Sequence, residues 1–131
     1  KSEVSSIEAV GVQVLTDHED IANARIKFQN GAIANISASR LSKAEMRKIR
    51  IFQPDAYISL DYIKQSAAIF RKTGNRISRN IIRIKPHNAL QEELNSFVNC
   101  ILNKQGPIVT GRQAAEALRI ALEITEKIKS Q

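Results

Sequence analysis

The sequence has no tryptophan and one cysteine, Cys100, among its 131 residues. A single thiol cannot form a disulfide within the chain, so we expect an unreactive thiol in a reducing compartment such as the cytoplasm. No run of 18 apolar residues occurs, which argues against a membrane-spanning helix. The chain starts at Lys1 without a leader-like segment. We therefore expect a soluble piece of a longer cytoplasmic protein, with no membrane partner.

The usual signatures of cofactor binding and catalysis are also missing. No two of the five glycines have the spacing of a dinucleotide or phosphate loop. His18 and His87 lie far apart, and no nucleophile elbow occurs. The turn "TDHED", residues 16–20, is compatible with a divalent ion, although a dense polar turn has the same composition and is favoured. We predict no catalytic, cofactor-binding or metal-binding residue in this chain.

The net charge of +7 raises the question of an anionic partner. Much of the excess lies between Arg40 and Lys85, where cations alternate with apolar residues at strand spacing. That pattern favours the solvated face and the ends of a sheet, and a phosphate-binding surface is the alternative. Because no aromatic residues are interleaved at single-strand-binding spacing and no basic recognition helix is evident, nucleic acid is not the expected partner.

Strand patterns occupy residues 7–85, and helix patterns follow from residue 88 onward. Short loops connect the predicted strands, which indicates an open, largely antiparallel or mixed sheet. After the strands come two helices that begin at capping sequences, Asn88 with Gln91 and Thr110 with Gln113. The predicted strands cover residues 7–15, the hairpin around residue 30, 47–53, 56–62, 65–72 and 81–85. We predict one α+β domain, residues 1–131, with helices covering one face of the sheet.

The segment "FQNGAIANISASR", residues 28–40, sets the register of the hairpin. A two-residue loop would mix apolar and polar side chains on both faces, whereas a three-residue loop closed by Gly31 in the left-handed region places Ile26 opposite Ala34. Burial favours the second register because it produces one apolar face. The other face then carries small polar residues on the second strand. These are Asn35, Ser37 and Ser39.

Two further groups of residues leave alternatives open. Tyr57, Ser59 and Asp61 share a strand face and are compatible with a ligand site, although a polar sheet face is the favoured interpretation. Arg40 follows Ser39 at a strand end, where it either binds an anionic group or is an exposed charge.

Four segments together resemble the C-terminal domain of the Gfo/Idh/MocA family of NAD(P)-dependent oxidoreductases. They are the hairpin "ARIKFQNGAIANISASR", the pair "RKIRIFQPDAYISLDY", the helix "LQEELNSFVNCILN" and the ending "PIVTGRQAAEALRIALEITEKI". The resemblance implies a Rossmann domain, outside this chain, that binds NAD or NADP and supplies a catalytic lysine. His18 does not match the family's Asp-x-x-x-His pair, so no catalytic residue is carried over.

The resemblance also implies a role for the small polar face. In that family the helix-free face packs against a second subunit, so Asn35, Ser37 and Ser39 are candidate dimer contacts and Arg40 is a candidate substrate contact. The parent protein would be a dehydrogenase acting on a sugar-like or polyol hydroxyl, and this chain alone would be inert without the Rossmann domain. The alternatives are a non-enzymatic ligand-binding or assembly domain of the same architecture, or a basic nucleic-acid-binding domain.

Overall fold

A computed structural model describes residues 2–130, which form seven strands and two helices. The fold class is α+β, as predicted, and every strand pairing is antiparallel. The chain divides into two compact units, one formed by residues up to 42 together with those from 103 onward, the other by residues 43–102. The elements are β1 (Val4–Val12), β2 (Ile21–Phe28), β3 (Ile33–Ser39), β4 (Lys48–Phe52), β5 (Ala56–Asp61), β6 (Ser66–Thr73), β7 (Arg76–Arg83), α1 (Ala89–Leu102) and α2 (Gly111–Lys129).

The first unit contains a three-stranded sheet in the order β1-β2-β3, and its hairpin has the predicted register. The Phe28 amide donates to the Ala32 carbonyl at 2.9 Å, and the Gly31 amide donates to the Phe28 carbonyl at 3.0 Å. Gly31 adopts a φ of +84°, and Ile26 lies opposite Ala34. The three-residue loop is therefore confirmed, and with it the separation of an apolar face from a polar one.

Helix α2 lies against β1 on the apolar face of this sheet. The buried side chains of the sheet on that face belong to Ile7, Ala9, Ala24 and Ile26. The helix begins at the predicted capping box, in which Thr110 accepts from the Gln113 amide and the Gln113 side chain accepts from the Thr110 amide. This sheet–helix packing forms the core of the first unit.

Strand β1 ends three residues before the predicted limit of 15. The reason is Asp20, whose Oδ2 accepts hydrogen bonds from the amides of Val14, Leu15 and Thr16 at 2.9, 2.7 and 3.0 Å. Amides bound to a carboxylate are not available to a strand ladder, so the chain turns away from the sheet at this point.

The second unit contains a separate four-stranded sheet in the order β4-β5-β6-β7, so the strands form two sheets rather than the single one expected. The structure extends the last strand backward: β7 begins at Arg76, opposite Thr73, across a two-residue loop that contains Gly74 at a φ of +59°. The prediction of 81–85 missed its first half because residues 76–80 are mostly polar and show no clear alternation.

Helix α1 starts where the sequence predicts, with the Gln91 amide donating to Asn88 Oδ1 at 3.2 Å. Its apolar stripe is exposed, unlike the stripe expected to cover a sheet face: Leu90 is 62% exposed and Phe97 59%. Among residues 2–130, no helix is long and apolar enough to cross a bilayer.

Candidate functional site

The candidate substrate residue Arg40, directly after β3, is held by two contacts with Asp20, which directly precedes β2. The Arg40 amide donates to the Asp20 carbonyl at 3.0 Å, and Arg40 Nε lies 3.6 Å from Asp20 Oδ1. The Arg40 side chain is 57% exposed, while that of Asp20 is fully buried. Part of the guanidinium is thus available to an anion, and Asp20 restricts its position.

Asp20 organises the loop that connects β1 to β2. Besides three backbone amides, its carboxylate accepts the Thr16 hydroxyl at 3.0 Å. The backbone hydrogen bonds from Leu15 and Val14 hold the pKa of Asp20 well below its usual range, because they favour the charged form more than burial opposes it. A carboxylate occupied in this way favours the polar-turn interpretation of residues 16–20 over a cation site.

Asn35, Ser37 and Ser39 lie together on the side of the first sheet opposite its buried core, which we call the open face. Ser37 Oγ donates to Asn23 Oδ1 on the neighbouring strand at 2.7 Å, and Ser39 Oγ accepts from the Leu41 amide at 3.1 Å. The structure therefore brings the three predicted residues onto one surface.

Charged and apolar groups border these small residues on the open face. Lys27 Nζ lies 3.0 Å from Glu8 Oε1, and this hydrogen bond holds the pKa of Glu8 below its usual value. Val10, Val12 and Ile33 are 51%, 53% and 51% exposed. The open face is therefore a mixed surface on which Glu8 neutralises Lys27, while Arg25, opposite Asn35, adds a further positive charge.

A groove of about 440 Å³ lies in the first unit. Its lining includes the core residues Ile7, Ala9 and Ala24, together with Lys127 and Ser130 near the end of α2. The rim is charged with both signs, since Glu8 lines the groove beside Arg25 and Lys127, so the groove shows no preference for an anionic ligand.

In the second unit, one side of the sheet carries a row of three aromatic rings, which we call the aromatic row. Phe52 stacks on Tyr57 with ring centroids 4.8 Å apart, and Tyr57 stacks on Phe70 at 5.4 Å. The row ends at Arg79, whose Cζ lies 5.7 Å from the Phe70 centroid. Strand spacing in the sequence could not reveal this row, because the three rings come from three strands and meet only through the register.

Tyr57, Ser59 and Asp61 share the side of β5 that carries the aromatic row. Asp61 Oδ2 lies 3.4 Å from Lys48 Nζ on β4, and Asp61 Oδ1 accepts the Lys64 amide at 3.0 Å. These interactions, the Lys64 hydrogen bond first, hold the pKa of Asp61 below its usual value. Asp61 thus anchors the turn after β5 and neutralises one cation of the sheet.

The two histidines do not converge with other ligating groups. His87 exchanges two hydrogen bonds with the Gln65 side chain, at 2.9 and 2.8 Å, through its backbone. In the part of the chain that the structure describes, no three His, Cys, Asp or Glu side chains form a group that could hold a metal ion.

Known proteins resemble this chain over a fraction of their length. A UDP-N-acetylglucosamine 3-dehydrogenase from Acidithiobacillus ferrooxidans is 27% identical to this chain in an alignment 135 residues long. The alignment covers 98% of this chain and 43% of that protein. A solved structure of that enzyme matches with a TM-score of 0.91 at 29% identity, covering 98% of this chain and 42% of that one. No protein-family model matches the chain.

Two other solved structures share the fold at lower identity. An aldose–aldose oxidoreductase from Caulobacter crescentus, complexed with glycerol, has a TM-score of 0.77 at 24% identity over 98% of this chain and 40% of that one. A levoglucosan dehydrogenase complexed with NADH and L-sorbose has a TM-score of 0.82 at 16% identity, and the match covers 98% of this chain and 43% of that one. The chain thus spans about two fifths of the length of these proteins, and the resemblance drawn from the motifs is confirmed.

Proposed function

Because the chain is homologous to the C-terminal part of Gfo/Idh/MocA-type oxidoreductases, we propose that it is the C-terminal domain of an NAD(P)-dependent dehydrogenase acting on a sugar hydroxyl. The observation that carries the proposal is the match at a TM-score of 0.91 to a dehydrogenase of a sugar nucleotide, over nearly the whole of this chain. The substrate class we propose is a sugar or sugar derivative.

In this proposal the cofactor and the catalytic groups belong to a Rossmann domain outside residues 1–131. The glycine spacing supports that division, since none of the five glycines forms a dinucleotide loop. The cofactor is NAD or NADP, and the cytoplasm is the compartment we propose. Residues 1–131 act as one domain that forms part of the substrate pocket.

Arg40 is the residue we propose for contact with substrate. A guanidinium offers paired donors to an anionic or hydroxyl-rich ligand, and Asp20 limits its freedom at the end of β3. A side chain held in place loses less conformational entropy when it binds a ligand.

The open face is the surface we propose for dimerisation. Small side chains such as Asn35, Ser37 and Ser39 permit close approach of a second sheet, and Glu8 relieves the like-charge repulsion that Lys27 would otherwise cause. Three exposed aliphatic side chains on the same face add apolar area. A two-fold contact would place the same three strands opposite themselves.

A titration of this chain with NADH and NADPH by calorimetry tests the assignment of the cofactor site. We expect no stoichiometric binding in the micromolar range, because the chain has no phosphate loop. Micromolar binding of one dinucleotide per chain would contradict the division between the two domains.

A further inference from the structure

The aromatic row of the second sheet has one closed end and one open end. At the closed end Arg79 lies over Phe70. At the other end Phe52 stacks on Tyr57 with one ring face, and it lies on β4, the edge strand of the sheet. Phe52 is 76% exposed. An additional planar ring could extend the row at Phe52, and nucleobases stack on aromatic side chains whatever their identity.

A cation lies beside this open ring. Arg50 precedes Phe52 by two positions, so both side chains project from the same side of β4, about 7 Å apart along the strand. Within the described range, Arg50 forms no ion pair, whereas Lys48, the next cation on that side, is paired with Asp61 at 3.4 Å. A guanidinium with free donors binds phosphate oxygens through paired hydrogen bonds.

We propose that Phe52 and Arg50 form a binding site for a mononucleotide, with the base stacked on Phe52 and a phosphate bound by Arg50. The site does not depend on the oxidoreductase assignment, since it uses only residues of this chain and no redox step. It lies on a different sheet from Arg40 and the open face.

The charge of this side of the sheet favours an anionic ligand over a second copy of the chain. The register places Lys72, Arg79 and Arg83 on the same side as Arg50, against the one carboxylate of Asp61. Like charges would meet across a two-fold contact there and oppose association. Since one ring face is open, the row accepts one base, which favours a mononucleotide over a single-stranded nucleic acid.

Amide chemical shifts of the full 131-residue chain, followed during titration with UDP and with ADP, test the site. We expect saturable shifts at Arg50, Phe52 and Tyr57 with a dissociation constant of about 1 mM, typical of one stacked ring and one ion pair. Uridine alone and pyrophosphate alone should each bind at least about tenfold more weakly, because each lacks one of the two contacts.

Two substitutions and two matched controls separate the site from general charge effects. Phe52→Ala and Arg50→Gln should each weaken UDP binding about tenfold or more. Because both side chains are exposed, each variant should stay folded and keep the remaining amide shifts of the natural chain. Phe97→Ala removes an exposed ring from α1, and Arg76→Gln removes a cation from the other side of β7. Neither control should change UDP binding.

Three results would overturn the proposal. They are the absence of saturable shifts at about 10 mM nucleotide, shifts that persist in Phe52→Ala, and a short oligothymidylate that binds far more tightly per nucleotide than UDP. The last would identify a strand-binding surface. The proposed function is contradicted by a different result, which is micromolar binding of a dinucleotide to this chain. The nucleotide site and the proposed function can therefore be refuted separately.

Discussion

Gly11 of β1 lies so close to Ile128 of α2 that a Cβ atom added to it would be 2.5 Å from Ile128 Cγ2, and it would also be 2.8 Å from Cγ of Glu19. A side chain at position 11 therefore requires a neighbouring side chain to move. Glycine in a strand normally costs stability relative to alanine, because it adds freedom to the unfolded chain. At this position the sign should reverse: we expect Gly11→Ala to lower the free energy of unfolding by about 1–3 kcal/mol through overpacking. Urea unfolding of the two proteins measures the difference.

Double substitution identifies the cause of that loss. Ile128→Ala removes the closest clash and leaves the contact with Glu19 Cγ, so Gly11→Ala should cost less, though still something, in the Ile128→Ala background than in the natural chain. Gly111→Ala is the control, since no atom lies within 4 Å of its added Cβ, and it should be neutral or stabilising. Equal costs of Gly11→Ala in both backgrounds would contradict the assignment of this cost to Ile128.

Asp20→Asn should destabilise the first unit, because an amide replaces the charge that three backbone amides and Arg40 Nε surround. The pKa of Asp20 is depressed in the folded chain. Its contribution is therefore complete above the unfolded value of about 3.9 and is lost as the pH falls through the lower folded value. The difference in melting temperature between Asp20→Asn and the natural chain should be constant near neutrality and shrink in acid.

Thermal unfolding between neutral and strongly acidic pH measures that dependence. Asp17→Asn, in the same loop and exposed, is the matched control and should differ little from the natural chain at any pH. If the deficit of Asp20→Asn grew as the pH fell, the electrostatic explanation of the loop would be wrong.

Gly31 closes the first hairpin at a φ of +84°. We expect Gly31→Ala to lower the free energy of unfolding by about 1 kcal/mol, since a side chain strains the left-handed region. Gly31→Asn should cost less, because asparagine tolerates that region better than other side chains do. Chemical denaturation of both variants checks the order, and equal losses would argue against a conformational origin.

Ser37→Arg tests the proposed dimer surface. A bulky cation at the centre of the open face should weaken self-association at least about tenfold, through steric exclusion and repulsion across the two-fold contact. Sedimentation at tens of micromolar gives the oligomeric state. Ser78→Arg on β7 adds the same charge outside the open face and should leave association unchanged. A natural chain that is monomeric under these conditions would contradict the surface assignment.

The sequence allowed prediction of the features that depend on local pattern. Side-chain alternation and Gly31 were enough for the hairpin register, and the capping residues Asn88 and Thr110 were enough for both helix starts. Long-range pairing could not be predicted in the same way. The role of Asp20 depends on a loop folding back onto its carboxylate, and the aromatic row depends on the register of β4, β5 and β6, which no single segment encodes.

The division into two sheets was unpredictable for a related reason. A strand pattern indicates which residues are extended, but it does not indicate which strands are neighbours. Strands β3 and β4 are consecutive in sequence and yet are not paired. The exposed stripe of α1 shows the same limit, because periodicity identifies an apolar face without identifying its partner.

Hydride transfer by a longer polypeptide that contains this domain tests the proposed function most directly. With UDP-N-acetylglucosamine and simple aldoses as substrates, and NAD⁺ or NADP⁺ as acceptor, the reduced cofactor is followed by its absorbance. We predict sugar-dependent reduction by the longer polypeptide and none by residues 1–131 alone. A folded longer polypeptide that binds neither cofactor and oxidises no sugar would contradict the assignment of this chain to a sugar dehydrogenase.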